Sequence, residues 1–253
     1  MTVTAAQGIL LADRQGDVTR LTLNRPGRGN ALSAELVTAL AAAVDACYLD
    51  GTRLLAIEGA GEHFCTGFDL GDLDSESDDS LLARFVRVEL LLQSVHDAPF
   101  ATVALVQGRA MGAGADLVAA CEQRWIAQGS SFAFPGAAFG LVLGSARLAR
   151  LVGTARAREW IAAGRAVRAD DALAAGLASR MIPAEERAAA LAGLAERARR
   201  LDAPTQAAIQ AATLGGQAAV VAAGAAQLSE LVRSAARPGL RARIAAYREA
   251  SRR

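Results

Sequence analysis

Two glycine-rich stretches, residues 59–70 and 108–117, each follow a short apolar run of the kind that forms a buried β-strand. The second also opens an apolar helix pattern over residues 113–121. Glycine lets backbone N–H groups approach a ligand closely, and the first N–H groups of a helix have no partner within it. If the two turns converge, they supply a pair of donors to a negatively charged oxygen. The pattern therefore indicates chemistry in which a carbonyl becomes an oxyanion or an enolate.

The elements that must position these turns alternate between strands and helices, and no linker separates independent domains. Ser33 is the expected N-cap of the first helix. From Ser145 onward the pattern is helical, apart from one short segment. In chain order we expect a hairpin of residues 8–12 and 18–23 around 13–17, a helix over 34–49, a strand over 53–58, a solvated acidic loop over 71–80, a helix over 81–95, a strand over 101–107, a helix over 113–121, short strands over 124–127 and 131–134, a short segment over 178–182, and an alanine-rich amphipathic tail over 203–253 that breaks at Pro238-Gly239.

Composition narrows the function class. The 253 residues are 53% hydrophobic and 21% charged with a net charge of +1, so there is no basic excess to neutralise nucleic acid phosphates. The three cysteines are odd in number and far apart, which is typical of reduced thiols. The N-terminus has no signal-peptide pattern, and the apolar runs are interrupted by charges. We therefore expect a cytoplasmic protein that binds neither nucleic acid nor a membrane.

Several motifs occur in order along the chain and resemble the crotonase (enoyl-CoA hydratase/isomerase) superfamily. The resemblance covers nearly the whole chain, and this many motifs at the family's spacing make it specific. They are Leu23-Asn-Arg-Pro26, Asn30-Ala-Leu32, Phe64-Cys-Thr-Gly-Phe-Asp-Leu70, Val106-Gln-Gly108, Phe132, Pro135, Phe139-Gly-Leu141, Gly164-Arg-Ala166, Asp171-Ala172 and Ala175-Gly-Leu177.

The resemblance implies an α/β fold, a crotonase-type ββα spiral with a helical C-terminal trimerisation region. The spiral core would span residues 1–195 and the helical region 196–253, as parts of one functional unit. It also implies a homotrimer or a dimer of trimers. The substrate would be an acyl-CoA thioester, so coenzyme A is part of the substrate and no separate cofactor is expected. The histidines are isolated, so no metal site is expected either.

The family's oxyanion hole would fall on the backbone N–H groups of Phe68 and Ala113. Many hydratases of this family also use two glutamates. Of their positions, the first falls here on Asp116 and the second on Gly136, which has no side chain. Hydration is served by two carboxylates that hold one water, whereas one carboxylate can move a proton between C2 and C4. A carboxylate in the first turn of a helix is also favoured by the helix dipole, so Asp116 has a purely structural interpretation as well.

The resemblance places a set of further residues around the substrate. Arg28 suits a CoA phosphate, although a solvated loop arginine is an equal interpretation. Cys65 lacks a partner acid or base for a nucleophilic role, and Asp69 is better explained as an acceptor that orders its loop. Glu89 and His96 are expected at the surface, with Glu89 a minor candidate for the missing acid. The predicted substrate-binding residues are Arg28, Cys65, Thr66, Gly67, Asp69, Leu70, Gly112, Pro135 and Gly136.

The sequence therefore favours an enoyl-CoA hydratase/isomerase-type enzyme with a single acid/base, Asp116, and an enolate held by Phe68 and Ala113. Double-bond isomerisation or another single-carboxylate proton transfer fits this set best. Two alternatives stay open. One is a true enoyl-CoA hydratase whose second acid is dispensable or lies elsewhere. The other is a catalytically silent member that binds acyl-CoA, which the missing acid at position 136 favours.

Overall fold

The fold is taken from a computed structural model, which describes residues 8–250. The expectation that the chain has no signal peptide concerns residues 1–7, which lie outside the described residues. Within residues 8–250, nine strands form two sheets. The strands are β1 (Leu10–Gln15), β2 (Val18–Leu23), β3 (Leu54–Gly59), β4 (Ala101–Val106), β5 (Arg109–Met111), β6 (Gln123–Ile126), β7 (Ser131–Ala133), β8 (Val167–Arg168) and β9 (Arg180–Met181).

The larger sheet has six strands in the order β1-β2-β3-β4-β6-β9, and the smaller has three in the order β5-β7-β8. Only the β1–β2 hairpin is antiparallel in the larger sheet. Parallel strands covered on both faces are apolar throughout rather than alternating, and β3 and β4 follow this rule. Leu55 and Ile57 face the main core, whereas Leu54 and Ala56 face a second core on the other side of the sheet.

Ten helices wrap these sheets in the described part of the chain. They are α1 (Ala34–Cys47), α2 (Asp78–His96), α3 (Ala113–Ala120), α4 (Ser145–Val152), α5 (Thr154–Ala163), α6 (Ala169–Ala174), α7 (Arg187–Arg199), α8 (Ala203–Thr213), α9 (Gln217–Ala235) and α10 (Leu240–Ala250). The predicted N-cap is confirmed, because the Ser33 hydroxyl accepts the N–H of Leu36 at 3.2 Å. The α/β architecture expected from the sequence is present.

Several predicted boundaries were wrong for local reasons. Strand β1 continues to Gln15, since a turn of only two residues at Gly16 and Asp17 closes the hairpin. Helix α2 begins at Asp78 rather than 81 because Ser77 and Ser80 form a capping box. The acidic loop is also less solvated than expected. Its Asp78 carboxylate accepts three backbone N–H groups at the start of α10, at 2.8–3.1 Å.

The C-terminal tail forms three helices rather than one helix with a single break. The expected break at Pro238-Gly239 separates α9 from α10, and a second break at Gly215 and Gly216, both with positive φ, separates α8 from α9. The two-residue strand β8 was missed, because such a segment carries no periodicity. The predicted core boundary, residue 195, falls inside α7. No single helix within residues 8–250 is long and apolar enough to span a membrane, although the bent α8–α9 pair meets that length and composition test when taken together.

Candidate active site

Two glycines allow the glycine-rich turns to touch. A Cβ on Gly67 would lie 2.7 Å from the Met111 carbonyl oxygen and 3.8 Å from the Ala113 nitrogen. A Cβ on Gly114 would lie 2.3 Å from the carbonyl oxygen of Cys65. Real Cβ atoms do not approach backbone this closely, so only glycine fits at both positions. The segment after β3 therefore packs directly against the start of α3.

Backbone pairing fixes the direction of the Phe68 N–H. The N–H of Leu32 donates to the Gly67 carbonyl at 2.8 Å, and the N–H of Asp69 donates to the Leu32 carbonyl at 3.1 Å. Because N–H groups alternate along an extended segment, the N–H of Phe68 points away from Leu32. Ala113 is the first residue of α3, so its N–H has no partner within the helix. Neither group donates to an acceptor among the described residues.

These two turns border a cavity of about 670 Å³. Its walls are mainly apolar and include Phe85 of α2, Ile161 of α5 and Tyr247 of α10. Nine of the predicted site residues line it. They are Thr66, Gly67, Phe68, Leu70, Gly112, Ala113, Asp116, Pro135 and Gly136. A space of this size and polarity suits an organic ligand with an apolar part.

Asp116 is the only carboxylate among the described residues that line the cavity. Its residue surface is 4% exposed, and its Oδ1 atom is buried without a hydrogen-bond partner. Burial raises the pKa of Asp116 to about 8, with smaller opposing influences from Arg147, which lowers it, and Glu89, which raises it. Near neutral pH the side chain can therefore both hold and release a proton.

The Asp116 carboxyl is enclosed on one side by Gly144. A Cβ on Gly144 would lie 2.0 Å from Oδ1 and 2.6 Å from Cγ, and Gly144 has a φ of +66°. A buried ion pair joins Glu89 of α2 to Arg147 of α4, and both helices pack against α3. The expectation that Glu89 lies at the surface was wrong, since it is fully buried. Its place four residues after Phe85, on the apolar face of α2, was the signal for this.

Position 136 could hold a longer side chain. A Cβ on Gly136 would meet only the Leu141 carbonyl oxygen at 3.7 Å and the Leu141 Cβ at 3.8 Å, which are ordinary contacts. Gly136 lies in a 3-10 turn, Pro135–Phe139, on the cavity wall. The backbone around position 136 therefore leaves room for a glutamate, and its absence there is not explained by steric crowding.

Three of the predicted site residues do not line the cavity. Cys65 is fully buried, and burial raises the pKa of its thiol to about 12, which does not favour a thiolate nucleophile. Burial opposes ionisation of Asp69, but the Gly71 N–H and the Arg25 guanidinium outweigh it and lower the pKa of this carboxyl. Asp69 thus orders its loop, at 2.8 Å from Arg25. Arg28 is exposed beside this loop.

Sequence reasoning missed the contribution of the C-terminal helix to the cavity. Tyr247 of α10 lines it and packs against Phe139, with ring centroids 5.3 Å apart. The Arg243 side chain donates to the Phe139 carbonyl at 2.9 Å, and Arg248 donates to the Leu70 carbonyl at 3.1 Å. These contacts of α10 depend on tertiary packing, and no local sequence motif predicts them. Within residues 8–250 no group of three potential metal ligands comes together.

The raised pKa of Asp116 predicts a pH-dependent stability. The unfolded carboxyl ionises near 3.8 and the folded one near 8, so the folded state keeps a proton that the unfolded chain releases. The wild type should lose stability as pH rises from about 4 to about 8. Asp116→Asn removes this ionisation, so its Tm relative to wild type should rise across that window and level off above it. Thermal unfolding from pH 4 to 9 measures this, and a constant Tm difference would contradict it.

Gly144→Ala should disturb the site more than an equivalent substitution elsewhere. Gly16 has nearly the same φ, +65°, but nothing within 4 Å of an added Cβ, so Gly16→Ala is the matched control. Both variants should lose about 1–2 kcal/mol from left-handed strain. Gly144→Ala should lose roughly a further 1–3 kcal/mol, because the methyl group must displace the Asp116 carboxyl. Denaturant unfolding compares them, and equal losses would show that the carboxyl yields freely.

The chain is similar to known proteins over most of its length. Residues 13–235 match the family model for enoyl-CoA hydratase/isomerase. A probable enoyl-CoA hydratase of Mycobacterium leprae is 34% identical over 204 residues, which cover 76% of each protein. A probable enoyl-CoA hydratase of Bacillus subtilis is 35% identical over 169 residues, which cover 64% of this chain and only 64% of that relative.

Solved structures are similar over more of the chain. A Bordetella parapertussis structure described as an enoyl-CoA hydratase/isomerase has a TM-score of 0.91 and 39% identity, and covers 95% of this chain and 98% of its own. An enoyl-CoA hydratase of Bacillus halodurans shares the fold with a TM-score of 0.83 at 23% identity, over 94% of this chain and 100% of its own. The chain therefore belongs to the enoyl-CoA hydratase/isomerase family of the crotonase superfamily.

Proposed function

We propose that this protein moves a proton on an acyl-CoA thioester through an enolate, with Asp116 as its one acid/base, and that double-bond isomerisation is its reaction. The observation that carries the proposal is the single carboxylate on the cavity wall, placed in the first turn of α3 beside the free N–H of Ala113. One carboxylate is enough to shuttle a proton between two carbons of one substrate.

In this proposal the thioester oxygen lies between the N–H groups of Phe68 and Ala113. Removal of a proton from C2 places negative charge on that oxygen, and the two fixed donors stabilise it. Each donor of this kind is typically worth about 3–4 kcal/mol in the transition state. Because the donors belong to the backbone, their positions depend on the contacts of Gly67 and Gly114 rather than on side-chain identity.

Asp116 would take the C2 proton and return it to C4, so that the double bond moves from C3=C4 to C2=C3 and no atom is gained or lost. The Asp116 carboxyl lines the cavity and is otherwise buried, which would place it beside the bound acyl chain. The apolar walls formed by Phe85, Ile161 and Tyr247 would surround the acyl chain and exclude water from the dienolate. Thr66, Leu70, Gly112 and Pro135 would complete the substrate contacts.

Hydration of a 2-enoyl-CoA is the second candidate, because the relatives named above carry hydratase names. It would require Asp116 alone to position and activate the water. A silent acyl-CoA-binding member is the third, favoured by the missing acid at position 136. A screen of the purified protein against 2-enoyl- and 3-enoyl-CoAs separates the three, since only isomerisation consumes the 3-enoyl substrate.

We also propose a trimer-based assembly and a cytoplasmic location. Support for the assembly comes from apolar side chains left exposed on the helices, among them Leu90 of α2 at 46% and Val221 of α9 at 62%. Multi-angle light scattering at micromolar concentration measures the mass of the particle, and a stable monomer would end the assembly proposal.

Arg28, exposed beside the Asp69 loop, would bind a CoA phosphate.

Asp116→Asn should reduce isomerase turnover by about 10²–10⁴-fold, the usual worth of a positioned general base, while acyl-CoA binding survives. In the wild type, kcat/KM should rise with pH up to about 8, because the base must be ionised and burial raises its pKa to that value. Steady-state kinetics and calorimetric titration with an acyl-CoA measure the two effects. Full turnover in Asp116→Asn would exclude the mechanism.

Gly136→Glu should create or increase hydration of crotonyl-CoA, because it places a second carboxylate on the cavity wall where the backbone leaves room. Gly136→Ala is the control, since it adds the Cβ without the acid. The loss of crotonyl-CoA absorbance measures hydration in all three proteins. Hydration by the wild type as fast as by the glutamate variant would show that one carboxylate suffices.

A further inference from the structure

A buried charge pair lies on α2 and α4, the two helices that pack against the helix of the proposed acid/base. Arg147 donates to both carboxylate oxygens of Glu89, at 3.0 and 2.5 Å, and the two residues are 2% and 0% exposed. Gln93 donates to Glu89 at 2.8 Å and to the Gly224 carbonyl of α9 at 2.9 Å. The pair thus joins α2 to α4, and Gln93 extends the network to α9. Neither charged residue lines the cavity, so neither touches substrate.

Two buried polar atoms in this region lack partners. They are Oδ1 of Asp116, an acceptor, and Nε of Arg147, a donor. Arg147 lies three residues after Gly144, where an added Cβ would lie 2.0 Å from Oδ1 of Asp116. The guanidinium commits its other two nitrogens to Glu89. Arg147 is therefore a cation beside Asp116 whose charge is already neutralised by another carboxylate.

Few other charges can act on Asp116. Helix α3 packs against α2, α4, β4 and β5. Glu89 comes from α2 and Arg147 from α4, whereas β4 carries no charged residue and Arg109 of β5 is exposed at the cavity wall. Arg84 of α2 is engaged with Glu76 instead. Among the described residues, the Glu89–Arg147 pair is therefore the dominant charged neighbour.

We propose that the Glu89–Arg147 pair is a positioning unit for Asp116. Glu89 neutralises Arg147, so that Asp116 can keep a proton beside a buried arginine. Arg147 also anchors α4 to α2, which holds Gly144 against the Asp116 carboxyl. A buried cation strongly favours an ionised carboxylate nearby, so without Glu89 the charge balance would pass to Asp116. Its catalytic meaning depends on the proposed function, but its effect on Asp116 does not.

The test is the midpoint of Asp116 ionisation in the folded protein. It is read from the pH at which the Tm difference between each variant and the same variant carrying Asp116→Asn levels off. Glu89→Gln should lower this midpoint by at least about one pH unit, because Arg147 is left without its counter-charge. A purely structural role for Glu89 would lower Tm at every pH and leave the midpoint in place. An unchanged midpoint overturns the proposal.

A second variant, Glu89→Met with Arg147→Met, removes both charges and keeps an apolar filling. Its midpoint should stay at or above that of wild type, because no cation remains, and a lower midpoint overturns the proposal. If Glu89→Gln does not fold, the midpoint of the double variant alone tests the proposal. Glu230→Gln, which breaks the exposed pair with Arg233, is the matched control and should leave the midpoint in place.

Kinetics separate this inference from the proposed function. If Asp116 is the catalytic base, the pH at which kcat/KM reaches its plateau should fall in Glu89→Gln by the same amount as the stability midpoint. If no enoyl-CoA is turned over but the stability midpoint moves, the proposed function fails and the positioning unit stands. If the enzyme is active and neither midpoint moves, the positioning unit fails alone.

Discussion

The site depends on the close approach of two backbone segments that only glycine permits. Gly67 sits against the Met111 carbonyl and Gly114 against Cys65, at distances that exclude any Cβ. The contact places Ala113, the first residue of α3, beside residues 67–69. The opposite edge of that segment is hydrogen-bonded to Leu32. Sheets, helices and cores serve to bring these segments together, because neither segment is long enough to hold its position alone. A pair of backbone donors built in this way does not vary with side-chain identity.

Much of this could be predicted from the sequence. Glycine turns, helix caps and the apolar strands leave local signatures, and the family motifs pointed to Phe68, Ala113, Asp116 and Gly136, which line one cavity. The surroundings of Asp116 could not be predicted, because Glu89, Gly144 and Arg147 are distant in sequence and meet only after the helices pack. Glu89 had a local signal, its place on the apolar face of α2, but a lone carboxylate there does not reveal its partner. Tyr247 had none.

The absence of an acid at position 136 affects the pKa of Asp116 as well as the number of carboxylates in the cavity. Two carboxylates in one apolar cavity raise each other's pKa and compete for a single proton. With glycine at 136, Asp116 has no such rival among the described residues of the cavity wall, and its proton affinity depends on burial and on the Glu89–Arg147 pair. A lone carboxyl that is neutral near pH 7 gives up its proton and takes it back at little cost. That property suits a reaction in which the same proton leaves and returns.

Burial also explains why Arg147 pairs with Glu89 rather than with Asp116. A buried arginine needs a carboxylate, and Asp116 would serve that need if nothing else did. Glu89, which does not line the cavity, is the carboxylate that pairs with Arg147, and Gln93 links Glu89 to the C-terminal region through Gly224. The same region returns through α10 to the cavity wall at Tyr247. The C-terminal helices thus contact both the Gln93 side chain that binds Glu89 and the wall of the cavity.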